Sequence, residues 1–308
     1  MSNRDYPAIA AAIGMAFFFG FSFIFTRSAL EHIEPIHFLG FRFFLAALVV
    51  NILRWVGVIK INIPLRRWRE IMLLAFFQPV LYFVCETIGI QMTSASEGGM
   101  MVALIPIFTV SIAAIFLKER PAIPQVISII LSVSGVLLIG YMQATQEIGR
   151  NFIGLLILLG APLSGGAFSN LSRYFSRSFK PIELTYIMMN VGAVFFLGLS
   201  LIMHFFRGRL DQFLLPLGEP IVISAILYLA IFSSVVAFFL INFTLSRLPA
   251  SQVSAFPSLT TLIAVTSGVV ILGESLYWFH FLGAILIIIG VWGTNYFTPR
   301  DITSPVRS

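Results

Sequence analysis

The sequence predicts an all-α membrane protein of ten transmembrane helices, arranged as two inverted five-helix repeats with both termini cytoplasmic. Three observations lead there. First, only 10% of the 308 residues are Asp, Glu, Lys or Arg and 58% are hydrophobic, whereas a soluble domain carries about 25% charged residues. Second, runs such as YPAIAAAIGMAFFFGFSFIF, MMVALIPIFTVSIAAIFL and FLGAILIIIGVWG approach or reach the roughly 20 residues that cross a bilayer core. Third, the two halves of the chain align with each other.

Polar breaks place the spans near residues 7–28, 35–56, 70–92, 96–117, 121–142, 151–172, 181–205, 219–245, 250–272 and 277–297. The first lacks a small-residue cleavage site after a short apolar core, so it reads as a retained helix rather than a signal peptide. The second opens on Pro35 and carries Arg42. The third holds FFQPVLYFVCE, the fourth Pro106, the sixth GAPLSGGAFS and the ninth Pro257. The connections are short, so no soluble domain is inserted. Lys and Arg set the orientation: fourteen of the 19 fall on the N-terminal side of the membrane and four on the other, with Arg42 inside a span. By the positive-inside rule both termini are cytoplasmic. The net charge of +6 is therefore a topology signal and not a nucleic-acid footprint. The single cysteine, Cys85, excludes an intrachain disulfide and a cysteine metal cluster. No cofactor is expected.

A shift of 146 residues lays Gly20 on Gly166, Arg27 on Arg173 and Pro35 on Pro181. A shift of 155 lays Ser96 on Ser251, Leu104 on Leu259, Glu119 on Glu274 and Gly135 on Gly290. The repeats are 1–146 and 147–308. Each has five helices, an odd number, so the halves enter the membrane in opposite directions. Such repeats are a scaffold of secondary transporters, whose site lies at the repeat interface near the midplane.

These residues also carry a resemblance. FFFGFSFIFTRSALEHIEPIHFLGFRFFLAAL, LIPIFTVSIAAIFLKERP and SLTTLIAVTSGVVILGESL are similar to the opening helices and the Pro-bearing, Leu-Gly-Glu-ending helices of the ten-helix EamA-type exporters of the drug/metabolite transporter superfamily. Phe19 stands where that family commonly has tryptophan. Thr261 stands in place of an expected proline, with Pro257 about one turn earlier. Within the family, length and aromatic content look most like the bacterial aromatic amino-acid exporters. The resemblance implies a multi-pass protein of the bacterial inner membrane that moves small metabolites.

Polar residues inside the spans are the candidate functional groups. Arg42 lies seven residues into its helix, about 10 Å deep at 1.5 Å per residue. Glu86 lies at a similar depth on the third. Intramembrane charges are costly and normally face a bundle interior, paired where possible. The expectation is an Arg42–Glu86 ion pair, direct or through water, architectural rather than substrate-binding. The competing reading has Arg42 snorkelling and Glu86 protonated. Gln78 and Tyr82 are four apart and share a face, with Pro79 loosening the ladder between them. An amide and a phenol so placed suit a ligand's ammonium or carboxylate. Pro162, Leu163, Ser164, Gly165 and Gly166 form a candidate site wall or hinge in the sixth span; close packing through small residues is the alternative. Gly20 and Ser22 occupy the positions matching Gly166 and Phe168, and Pro106 and Pro257 are further candidate bends. The carboxylates in LKERP and LGES are expected to cap the helices that follow them.

The expected substrate-binding set is thus Gln78, Tyr82, Ser22, Pro162, Leu163 and Ser164, and the expected bends are Gly20, Pro79, Pro106, Gly165, Gly166 and Pro257. No G-x-x-x-x-G-K-[ST] occurs, so ATP bound to this chain is not the energy source. His32, His37, His204 and His280 are scattered near span ends, which argues against an enzyme, and no ring of like charges suggests a channel. The reading is a substrate exporter working by alternating access, for neutral or aromatic amino acids, with a proton-coupled exporter of organic cations as the alternative. Small four-helix multidrug relatives carry a Glu in their first helix, and this chain has none there.

Overall fold

A computed structural model describes residues 6–63, 67–117, 123–145, 149–248, 250–253 and 256–297. Among the described residues the regular elements are all helices, without strands. Helices α1 (Tyr6–Ala29) and α2 (Pro35–Trp55) are followed by α3 (Trp68–Met92). Helix α4 comes in two pieces, Ala95–Val102 and Ile105–Leu117, before α5 (Ile123–Thr145). Then come α6 (Gly149–Phe175), α7 (Pro181–Phe206) and α8 (Pro220–Arg247). A short turn, Ala250–Val253, precedes α9 (Pro257–Leu272), and α10 (Trp278–Tyr296) closes the described chain. Seven of these helices are long and apolar enough to cross a membrane, and three further apolar stretches are shorter: Val126–Ile139, Pro257–Leu272 and Trp278–Gly293. The LKERP segment lies largely outside the described residues.

Proline sets several starts. It stands within the first two positions of α2, α7, α8 and α9, where its missing N–H breaks no helical bond and its φ is already helical. Glu183 adds a cap to α7: its carboxylate accepts from the Lys180 amide at 2.8 Å and, across the fold, from the Asn62 amide at 3.1 Å. Ser94 caps α4, accepting from the Glu97 amide at 3.1 Å. Glu274 of LGES does not cap α10 as its sequence position suggests. It accepts from the Ala95 and Ser96 amides at 2.7 and 2.9 Å, so it satisfies first-turn amides of α4 that have no partner within the helix.

Helices this apolar have no polar face to sort them, so small residues and buried hydrogen bonds decide the packing. Helix α2 lies along α7, α5 along α10, α1 against α9 and α8, and α6 against α4 and α3. Between α2 and α7 the Asn51 amide donates to Asn190 Oδ1 at 2.8 Å, and the Tyr186 hydroxyl donates to Asn51 Oδ1 at 2.7 Å. Between α5 and α10 the backbones nearly touch: a Cβ on Gly135 would sit 2.6 Å from the Gly283 carbonyl oxygen, and Ser132 Oγ donates to the Ile287 carbonyl at 3.1 Å.

Several contacts recur between the halves. Arg27 Nη1 donates to the Ile90 carbonyl at 3.2 Å, and Arg173 Nη1 donates to the Leu245 carbonyl at 2.8 Å. The arginines are 146 apart and the carbonyls 155 apart. A Cβ on Gly20 would strike Ile263 and one on Gly166 would strike Phe108, again 146 and 155 apart. Helices α3 and α8 each widen into π-type turns, over Phe76–Leu81 and Leu229–Val236.

Candidate functional site

The interior of the bundle holds a cavity of about 50 Å³. Its polar lining is Ser22, Gln78, Tyr82, Glu86, Ser169, Ser233 and Thr260, and its apolar lining includes Phe19, Phe23, Phe83, Phe168 and Ile105. The site exists because α3 breaks. Gln78 has φ −147° and ψ 116° inside an otherwise helical run, which turns its buried side chain into the cavity. A proline at position 79 cannot donate to the helical ladder, so a carbonyl upstream loses its partner. Beside this break Ser164 of α6 donates its Oγ–H to the Phe77 carbonyl at 2.5 Å, a carbonyl that the Tyr82 amide also reaches.

Among the residues expected to bind a ligand, Gln78, Tyr82 and Ser22 line the cavity, with the Ser22 hydroxyl donating to the Phe19 carbonyl at 2.6 Å. Three others take different places. Leu163 is 45% exposed on the outside of the bundle. Ser164 is occupied with the α3 break. Pro162 is buried within α6, which runs unbroken from Gly149 to Phe175, and is not in the lining. Their sequence neighbourhood suggested a single wall, but a helix turns 100° per residue, so adjacent positions face different neighbours.

The expected bends also separate by role. Pro79 sits in the π-type turn of α3. Pro106 follows the interruption between the two pieces of α4, and Pro257 begins α9 and lines the cavity. Gly165 lines it too. Gly20 and Gly166 are close-approach positions instead. A Cβ on Gly166 would lie 2.8 Å from the Thr109 amide nitrogen, and one on Gly20 would lie 2.6 Å from Ile263.

Of the two forms expected for the Arg42–Glu86 pair, direct or through water, the direct one is not formed. Arg42 is 1% exposed and Glu86 5% exposed, but no direct salt bridge joins them. Arg42 Nε donates to Ser234 Oγ at 2.9 Å and Nη2 to Ser233 Oγ at 3.1 Å, both in the π-type turn of α8. Its Cζ lies 4.3 Å from the Phe83 ring centre, within cation–π range. Nη1 has no hydrogen-bond partner. The serines of α8 thus take the place expected for Glu86, which instead lines the cavity. Snorkelling is excluded by the same contacts.

Sequence reasoning passed over Ser233 and Phe168 as cavity residues. A signal existed for both. Ser233 is 155 residues beyond Gln78, and Phe168 is 146 beyond Ser22, so the two offsets read from the sequence map two expected lining positions onto two unexpected ones.

The EamA-like transporter family model matches residues 6–141 and again residues 152–296. The chain belongs to the EamA-like transporter family. As a member of the drug/metabolite transporter superfamily, it is a multi-pass membrane transporter and not an enzyme. This transporter is 38% identical over 295 residues to the uncharacterized transporter YcxC of Bacillus subtilis (strain 168), covering 96% of this chain and 95% of that one. It is 23% identical over 275 residues to an uncharacterized transporter of Archaeoglobus fulgidus, covering 89% and 94%. A solved crystal structure superposes on the transporter with a TM-score of 0.60 at 16% identity, over 96% of this chain and 99% of that one, a likeness of fold.

Proposed function

We propose that this transporter is an exporter of small metabolites, foremost neutral and aromatic amino acids, working by alternating access without obligatory ion coupling. The observation that carries this reading is the amphiphilic cavity: Gln78, Tyr82 and Glu86 on one wall, with Phe19, Phe23 and Phe168 beside them. Concave sites with aromatic walls and a few placed polar groups suit ligands with one polar end and one apolar body. The architecture proposed with it is ten spans in two inverted repeats, 1–146 and 147–308, with both termini cytoplasmic in a bacterial inner membrane. The paired contacts Arg27–Ile90 and Arg173–Leu245 support the repeat, as does a family model that matches the chain twice. Two halves meeting at a central site can rock about it.

A second reading rests on one residue. Glu86 is a carboxylate that lines the cavity, and an acid there suits a proton-coupled exporter of organic cations. Reconstituted liposomes separate the two. Saturable flux of labelled tryptophan or phenylalanine, with counterflow and without dependence on a pH gradient, supports the facilitated amino-acid exporter. Movement of a cationic dye only when protons are supplied sinks it in favour of the second.

A further inference from the structure

The guanidinium of Arg42 is held along one edge and over one face, and one of its nitrogens is buried without a hydrogen-bond partner. Ser234 and Ser233 take the Nε–Nη2 edge, Phe83 covers the face, and Nη1 is a buried donor without a partner. Two of the residues that hold it, Ser233 and Phe83, are cavity lining, as is Glu86. Among the described lining residues Glu86 is the one carboxylate. Arg42 thus stands directly behind the cavity wall and Glu86 is part of that wall, with no direct salt bridge between them.

A buried donor left unmade is costly, and two opposite charges held apart in a low-dielectric interior form a fixed dipole. The group that completes both is a zwitterion. We propose that Arg42 Nη1 is the docking point for the carboxylate of an α-amino acid, that Glu86 receives its ammonium, and that Phe19, Phe23 and Phe168 take its apolar side chain. The inference rests on the amino-acid reading of the cavity and goes beyond it by naming the groups that read each end of the substrate. Arg42, expected to be purely architectural, becomes the residue that distinguishes an amino acid from the amine obtained by removing its carboxylate. Because the two serines and the Phe83 ring fix the guanidinium before a ligand arrives, little ordering is needed on binding. A charge-assisted bond formed away from water is among the strong ones.

The test uses full-length protein in detergent and in liposomes, with three probes that share one ring: phenylalanine, phenethylamine and 3-phenylpropionate. Wild-type protein is expected to bind phenylalanine at least ~10-fold more tightly than either truncated probe. Arg42→Gln is expected to lower phenylalanine affinity to that of phenethylamine and leave the amine unchanged. Glu86→Gln is expected to lower it to that of 3-phenylpropionate and leave the acid unchanged. Arg42→Lys, which keeps the charge but not the fork, should fall between. The wild-type series needs no variant to fold, so equal binding of phenylalanine and phenethylamine overturns the proposal by itself. Phenylalanine transport that survives Arg42→Gln at full affinity also overturns it, while leaving the exporter reading intact. Absence of saturable transport for every amino acid tried, with dye moving instead, fails the exporter reading and this inference together.

Discussion

The Ser164 hydroxyl donates to the Phe77 carbonyl at 2.5 Å, joining α6 to the point where α3 departs from helical geometry. A residue whose position suggested ligand binding is in fact committed to the backbone of a neighbouring helix. Replacing it by alanine removes this hydrogen bond but leaves the Tyr82 amide on the same carbonyl, a loss of about 0.5–1.5 kcal/mol. Ser164→Ala is therefore expected to lower the melting temperature of the purified protein while leaving the affinity for transported substrate within about twofold. An unchanged melting temperature together with weakened binding would return Ser164 to the binding set.

Glycines in α6 and α7 provide a matched comparison. Gly166→Ala drives a methyl to 2.7 Å from Phe108 Cβ and 2.8 Å from the Thr109 amide nitrogen, whereas nothing lies within 4 Å of a Cβ on Gly198. Overpacking a tight contact costs about 1–3 kcal/mol, and an exposed helical Gly→Ala gains roughly 0.5–1 kcal/mol. Thermal unfolding should separate the two variants in opposite directions. Equal effects would mean that α4 and α6 are not packed as closely as their glycines allow.

The cap on α4 reaches across the sequence, from Glu274 to Ala95 and Ser96. Glu274→Ala removes every acceptor for those amides and is expected to cost about 1 kcal/mol, within the range for lost caps, and Glu274→Gln less because an amide oxygen remains. Hydrogen exchange is the discriminating measurement: the amides of Ala95 and Ser96 should lose protection in Glu274→Ala. Protection that persists would show that the amides are satisfied in another way.

Orientation has a direct chemical test in a Cys85→Ala background. Gly218→Cys, in the connection before α8, should react with a membrane-impermeant maleimide added outside intact cells. Ser178→Cys, in the connection before α7, should react only after the membrane is opened. The reverse pattern would invert the proposed topology and leave the fold unchanged.

By itself the sequence determined that this is an apolar multi-helix chain with breaks near the observed ones, since span length and Lys/Arg placement are local properties. Seven spans read as long helices match closely, and α9 is split where one continuous span was expected, because Pro257 restarts the helix after Ala250–Val253. It also singled out Gln78, Tyr82, Ser22 and Glu86, because a polar group inside an apolar run has few places to go except the interior. Only the tertiary structure decided partners. Arg42 could have met any buried acceptor, and its matched depth to Glu86 favoured that carboxylate. The π-type turn of α8, some 190 residues away in sequence, places two serines closer. Likewise Ser164 and Leu163 are neighbours in the chain but face different surroundings on α6, one buried and one exposed, and Glu274 caps a helix far from it in sequence rather than the one it precedes. Which face of an apolar helix meets which neighbour is set by close packing and buried hydrogen bonds across the bundle, and no local pattern encodes it.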